Sequence, residues 1–320
     1  MIRRREFITL LGGGAAWPLG ARAQQGTPVV GVLRINPKGS DIFAEPFGRY
    51  MQAAGWVEGR NVHYDFVWAD MRIERMHALA NELVARNVNL IVTSGDPAIR
   101  AVQQATSRIP IVGMADDLVA SGLVASMARP GGNTTGVSIL ASELDVKRLE
   151  ILREFVPQAR QIAILVDPTT NSTRLQLEKA ARDMDVQLSL FEAQDPAQIA
   201  RALDAIAGAG VDALNVLASP ILDSERAVII DRLRQARLPA IYQFPETAED
   251  GGLLAYGPRR LLAYRHVASL VDKILRGRLP ADLPIEQPAK FQLVVNLKTA
   301  TTMGLTIPPS LLLRADEVIE

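Results

Sequence analysis

Three short stretches place small or hydroxylated residues directly ahead of segments with helical spacing. They are TSGDPAI from Thr93, DPTTNS from Asp167 and ASPILDSE from Ala218. A helix that starts this way leaves backbone N–H groups and the positive end of its dipole available to hold a carboxylate. Asp117 and Asp167 carry the opposite charge and could balance an ammonium. A solute with both groups is an amino acid. The same residue types also act as plain N-caps, each worth about 1 kcal/mol to its helix, so any single loop reads either way. Tyr242, Phe244 and Tyr256 could stack on an apolar ligand group or simply pack between layers. Trp56 and Trp68 fall on a loop and a strand end and read as structural.

Catalytic chemistry finds little purchase. His63, His77 and His266 stand in separate segments with no HExxH or HxxxH spacing, which argues against a metal cluster. There is no G-x-S-x-G elbow, and Ser94 in TSGDP is a poor match to one. Asp116 and Asp117 are adjacent on a loop and would diverge rather than face each other across a cleft. PGGNTTG, from Pro130 to Gly136, lacks the Lys-Ser/Thr ending of a phosphate loop and the spacing of a dinucleotide fingerprint, so it reads as a tight turn before a crossover. The expectation is a binding protein, not an enzyme, with no cofactor and no metal.

These residues need a scaffold, and the rhythm of the chain supplies one. Apolar, β-branched runs end in Gly, Pro, Asp, Ser or Asn: VVGVLRIN, NLIVTSG, IPIVGMA, QIAILVDP, ALNVLASP, PAIYQF, GLLAYG and FQLVVNL. Most are continuous rather than alternating, as in strands covered by helices on both faces. Stretches of helical period lie between them. Ile73, Met76, Ala80, Leu83 and Val84 form one stripe; Val267, Leu270, Val271, Ile274 and Leu275 form another, with Gly277 where a C-cap glycine belongs. Such alternation predicts an α/β fold of parallel sheets, and about eight or nine strands exceed one small sheet. The break at RPGGNTTGVS divides them into two doubly wound lobes.

Ligands of open α/β sheets bind beyond the carboxyl ends of the strands. The candidate site residues are therefore Ile35 and Asn36; Ser94, Gly95 and Asp96, with Pro97; Asp117, beside Asp116; Asp167, Thr169, Thr170 and Asn171; Ser219, with Pro220; and Tyr242 and Phe244, with Gln243. Tyr256 joins them as an aromatic candidate.

The N-terminus gives an address. Arg3, Arg4 and Arg5 precede an apolar stretch from Phe7 to Leu19, too short for a bilayer, which takes roughly 20 residues. Ala21-Arg22-Ala23 then suits signal peptidase, with the cut before Gln24, so residues 1–23 read as a cleaved signal peptide. Arg4-Arg5-Glu6-Phe7-Ile8 resembles a twin-arginine export signal, which carries proteins already folded. The expected compartment is the bacterial periplasm. With no cysteine there is no disulfide, no thiolate site and no lipid anchor. Lys+Arg and Asp+Glu both number 35, so no net field draws the protein to nucleic acid or anionic lipid.

AGWVEGRNVHYDFVWAD, ERMHALANELVARNVNLIVTSGDPA, ATSRIPIV, SGLVASMARPGGNTTGVS and the closing NLKTATTMGLTIPPSLLLRADEVIE occur in that order. With these segments the chain, from about Val29 to its end, resembles the ABC-transporter substrate-binding family that includes the tryptophan- and tyrosine-type binding proteins. Where relatives read Asp-Pro-Val, it has Asp117-Leu118-Val119. The resemblance implies a type I periplasmic-binding-protein fold, with two lobes joined by three crossovers around a ligand cleft. Lobe one would be residues 28–138 plus 254–280, and lobe two 139–253 plus 281–320. The crossovers would fall near Gly136, near Leu253 to Tyr256 and near Leu279 to Pro284. The implied role is a monomeric receptor that closes on a small solute, an amino acid or related carboxylate, aromatic ones included, and hands it to an inner-membrane ABC permease. A ligand sensor for a signalling receptor, or an enzyme using the same cleft, stays an alternative. A transcription regulator would need a helix-turn-helix ahead of Val29, where only the signal segment stands.

Overall fold

The computed structural model describes residues 26–140, 142–169 and 173–320. The expected signal peptide lies outside the described residues, as do Thr170 and Asn171. The chain forms two sheets. The first has the order β2 (His63–Trp68), β1 (Val29–Arg34), β3 (Leu90–Ser94), β4 (Ile111–Ala115), β5 (Thr134–Ser138), all parallel. The second runs β12 (Glu317–Ile319), β11 (Gln292–Asn296), β10 (Leu254–Gly257), β9 (Ala240–Tyr242), β8 (Ala213–Val216), β6 (Gln161–Val166), β7 (Gln187–Glu192). It is parallel except where β11 meets β10.

Helices cover both faces of each sheet, which is why most of the interior strands are largely apolar. In lobe one, Val30 and Val32 of β1 pack with Phe47 of α1 (Ala44–Ala53), while Leu33 turns to Leu83 of α2 (Met76–Ala85) and Val102 of α3 (Asp96–Ala105). In lobe two, Ile162 and Ile164 of β6 pack with Leu149 and Leu152 of α4 (Asp145–Phe155) and Leu177 of α5 (Arg174–Asp183). The alternate residues Ala163 and Leu165 turn to Ile199 and Leu203 of α6 (Pro196–Gly208). Two short helices, α7 (Pro220–Ser224) and α9 (Pro245–Glu249), follow β8 and β9, with α8 (Arg226–Gln235) between them. The long helix α10 (Arg260–Leu275) returns to lobe one, where Val267, Leu270 and Val271 pack with Val30, Phe47 and Val112.

The two-lobed doubly wound architecture agrees with the sequence; four strands and the lobe boundaries differ. β2 and β7 are sheet edges with mostly half-exposed, partly polar side chains, so they lack the apolar run that marks interior strands. β5, inside the stretch read as a turn, is fully buried but is spelled TTGVS. β12 is only three residues long. Residues 254–257, assigned from the resemblance to lobe one, are β10 of the second sheet, so the second crossover starts after Gly257. The third also comes later. Thr135 Oγ1 donates to the Leu283 carbonyl, and the Glu286 N–H donates to the Gly136 carbonyl, which holds residues 283–286 along β5 in lobe one.

Candidate functional site

The carboxyl ends of both sheets face one cavity between the lobes. From lobe one, Arg34 ends β1 and Asn36 lies just beyond it, Ser94 ends β3 ahead of Gly95 and Asp96, and Met114 and Ala115 end β4 ahead of Asp116. Lobe two contributes Ala218, Ser219, Pro220 and Asp223 after β8, and Gln243 and Phe244 after β9. Ile139 on the first crossover and Arg260 and Tyr264 of α10 close the hinge side, and Ile42 lies on the wall. The cavity volume is about 60 Å³, several times the roughly 10–15 Å³ that one water needs.

Two buried arginines organise the walls. Arg34 ends an apolar strand that both layers cover; its Nη1 donates to Ser94 Oγ at 2.7 Å, and its Nε lies 3.2 Å from Asp41 Oδ1. Its guanidinium also sits 4.6 Å over the Phe43 ring. Arg260, at the start of α10, donates from Nη2 to Asp223 Oδ1 at 2.6 Å and lies 4.7 Å over the Phe244 ring. Burial, the largest single influence, works against the Arg260 charge, and the negative groups around it, Asp223 first and then Tyr264, Glu246 and Asp250, together outweigh it, so the guanidinium is held above its ordinary pKa. Burial also raises the Asp96 carboxyl, against a hydrogen bond from Ser121 and the charge of Arg100. Tyr264 is pushed up to about 12 by burial, so its phenol stays neutral.

Two buried polar atoms on this wall have no partner within the protein: Gln243 Oε1 and Arg260 Nε. Buried polar groups are otherwise almost always paired, because leaving one unmet costs about 1–3 kcal/mol.

The lobes touch beside the cavity. Asn36 Nδ2 donates to Ser224 Oγ, and Pro220 lies against Gly95, where an added Cβ would come within 3.2 Å of the proline ring. Gly95 has φ +86°, a backbone region that suits glycine, and it is the residue before the first turn of α3.

The structure brings together Asn36, Ser94, Gly95, Asp96, Ser219 and Phe244 from the sequence candidates. Ile35, Asp167 and Thr169 lie in a smaller neighbouring gap where Ser94 meets Pro220 and Ile221. Asp167 is committed to local bonds: it accepts from the Thr169 N–H, from Thr169 Oγ1 and from Ser219 Oγ. Asp117 is absent from the cavity wall. Its carboxylate accepts from the N–H groups of Val119 and Ala120, closing a turn, while Asp116 takes the place on the wall. Tyr242 belongs to the core behind the sheet, against Gly252, and Tyr256 packs with the α4 side of lobe two. Both aromatic residues sit on strands whose side chains point into the layers.

Sequence reasoning missed Arg34, Asp223, Arg260 and Tyr264. A signal for the first was present, because a charge inside VVGVLR has no place in a strand covered on both faces unless it is paired or used. Arg260 and Tyr264 carry no such mark; only the fold brings the start of α10 against the ends of β8 and β9.

Replacing Asp117 with asparagine is expected to cost about 0.5 kcal/mol of stability or less, because an asparagine side chain accepts the same turn-closing bonds, and to leave ligand affinity unchanged. Urea denaturation and calorimetric titration check the two halves. A tenfold loss of affinity would return Asp117 to the site.

Among the described residues no helix is long and apolar enough to cross a membrane, and no three acidic or histidine side chains group as metal ligands would.

A family model described as ABC transporter substrate binding protein matches residues 41–319. A curated relative, the Tyrosine-binding protein of Clostridioides difficile (strain R20291), is 23% identical over 264 residues, spanning 81% of this chain and 75% of that one. A conserved domain protein of Vibrio cholerae O1 biovar El Tor superposes with a TM-score of 0.83 at 27% identity, over 92% of this chain and 100% of the other. An ABC domain from Streptococcus pneumoniae, solved in complex with L-Trp, superposes with a TM-score of 0.79 at 23% identity, over 92% and 100% of the two chains. With the last of these the likeness is one of fold.

Proposed function

The chain belongs to the ABC transporter substrate-binding protein family, with the type I periplasmic-binding-protein fold, and from that premise we propose that it captures a small amino acid-like solute between its lobes. The observation that carries this reading is the cavity itself. It exists only where the two lobes meet, it mixes arginine and aspartate side chains with the apolar faces of Phe244, Tyr264, Met114 and Ile139, and two of its buried polar atoms are unmet by the protein.

A carboxylate would meet the arginine side, an ammonium would face the Asp116 side, and an apolar or aromatic side chain would lie on Phe244 and Tyr264. The tyrosine-binding relative and the structural neighbour solved with L-Trp are in keeping with that class. The protein acts as the receptor of an importer: the open form takes solute on one lobe, closure adds the contacts of the other, and the solute stabilises closure only by that added amount. The twin-arginine-type leader sends it to the periplasm, where it works as a monomer without a lipid anchor, and an inner-membrane ABC permease receives the cargo. No cofactor takes part.

A thermal-shift screen of residues 24–320 tests the reading, with the twenty amino acids, aromatic acids, short carboxylates, sugars and nucleosides as probes. A ligand at 100 times its Kd adds about 2.7 kcal/mol of stability, a rise of several degrees in Tm. The expected result is a rise with one or more amino acids and no turnover of the hit. Silence with every amino acid, or a rise with sugars alone, would overturn the proposed solute class.

A further inference from the structure

Arg260 is the one cavity residue that does three things at once. It stands in lobe one at the start of α10, it bonds across the cleft to Asp223 of α7 in lobe two, and its Nε, buried with the rest of the side chain, has no partner. Asp223 has its carboxylate on this guanidinium, and the Asp223 carbonyl accepts from Arg226, so α7 is held firmly within its own lobe. The next residue, Ser224, takes the bond from Asn36, also across the cleft. Helix α7 therefore hydrogen-bonds to lobe one through two consecutive residues.

Resting on the amino acid reading above, we propose that Arg260 couples recognition to closure: Nη2 clasps Asp223 of the opposite lobe while Nε donates to the ligand carboxylate. A guanidinium is planar and its donors diverge at fixed angles, so fixing one edge fixes the other. Closure onto Asp223 sets Nε in the direction the carboxylate must approach, and a bound carboxylate holds the guanidinium where Asp223 can reach it. Gln243 Oε1, unmet on the same wall, accepts from a ligand N–H, such as the ammonium beside that carboxylate. Arg260 is thus a ligand contact and also the positioning residue for the interlobe clasp.

Two substitutions separate these duties by chemistry. Arg260→Lys keeps a cation with the reach for Asp223 but puts a methylene where Nε was. Arg260→Gln puts an amide at the place of Nε and loses the reach and the charge. The chain has no cysteine, so Gln52→Cys on α1 and Arg201→Cys on α6, both exposed and on opposite lobes, accept spin labels for interlobe distances. Affinities for L-tryptophan, L-tyrosine and L-phenylalanine are measured beside those for the matching amines without the carboxylate.

Wild type is expected to prefer acid over amine by about tenfold or more, as a charged hydrogen bond does. Arg260→Lys should keep the interlobe distance and lose most of that preference. Arg260→Gln and Asp223→Asn should widen the distance distribution, and Arg260→Gln should keep part of the preference. An acid-over-amine ratio unchanged in Arg260→Lys, or distances unmoved in both Arg260→Gln and Asp223→Asn, would overturn the proposal. If wild type binds none of the three amino acids, the solute class fails; the distances then judge the clasp by themselves, and unmoved distances refute it. Should the arginine variants fail to fold, Asp223→Asn still decides the clasp.

Discussion

Truncation of Arg148 to alanine is expected to destabilise lobe two by about 3–5 kcal/mol, the range for removing one partner of a buried ion pair. Arg148 and Asp145 are fully buried on the first turns of α4, and the guanidinium Nη2 bonds the Asp145 carboxylate. Asp145 also accepts from Thr173 Oγ1 at 2.7 Å, and its carbonyl accepts from Asn215 of β8. Nη1 of Arg148 donates to the Tyr256 carbonyl at the end of β10. Alanine would leave the Asp145 charge in a medium that cannot solvate it, and would release the strand end from which the chain crosses to lobe one. Urea denaturation of residues 24–320 reads the loss as a lower midpoint. The double replacement Arg148→Met with Asp145→Leu, which removes both charges, is expected to cost less than Arg148→Ala alone. A single-variant loss under 1 kcal/mol would show that water reaches the pair or that the lobe relaxes around it.

This pair also shows where sequence reading stops. The sheet interiors were legible because a parallel strand with helices on both faces is apolar at every position, and VVGVLR, NLIVTS and QIAILV say so plainly. The loops after those strands were legible for the same reason, and Asn36, Ser94, Gly95, Asp96, Ser219 and Phe244 reached the cavity by strand order alone. Edges were not legible, since the side chains of β2 and β7 are mostly half-exposed and partly polar. Direction of a side chain within a loop was not legible either. Asp116 and Asp117 are chemically identical neighbours, and only the turn at Val119 and Ala120 decides that Asp117 closes it while its neighbour faces the cavity. Arg148 lay beyond reach altogether: DVKRLEILREF reads as an ordinary charged helix, and nothing local distinguishes the buried arginine from Lys147, which pairs with Glu150 in solvent.

The second large effect is expected from Gly257→Ala, at the point where β10 ends and the chain leaves for α10. A Cβ there would stand 1.9 Å from the Gln243 carbonyl oxygen and 3.1 Å from its carbonyl carbon. Both are backbone atoms of the neighbouring β9 end, so no side-chain rotation relieves the clash. The two strand ends must part by more than an ångström, which costs about 3 kcal/mol by the standard of overpacked cores. The displacement also reaches the site. Gln243 lines the cavity on one side of the contact, and Arg260 follows Gly257 by three residues on the other. Stability and affinity should therefore fall together, with ligand affinity reduced tenfold or more. Gly48→Ala is the matched control. Gly48 lies within α1, has nothing within 4 Å of an added Cβ, and is expected to gain up to about 1 kcal/mol from better helix propensity. Urea midpoints and titration of both variants give the comparison. If Gly257→Ala binds and unfolds like wild type, β9 and β10 separate more easily than their spacing indicates, and the hinge side of the cleft is compliant rather than fixed.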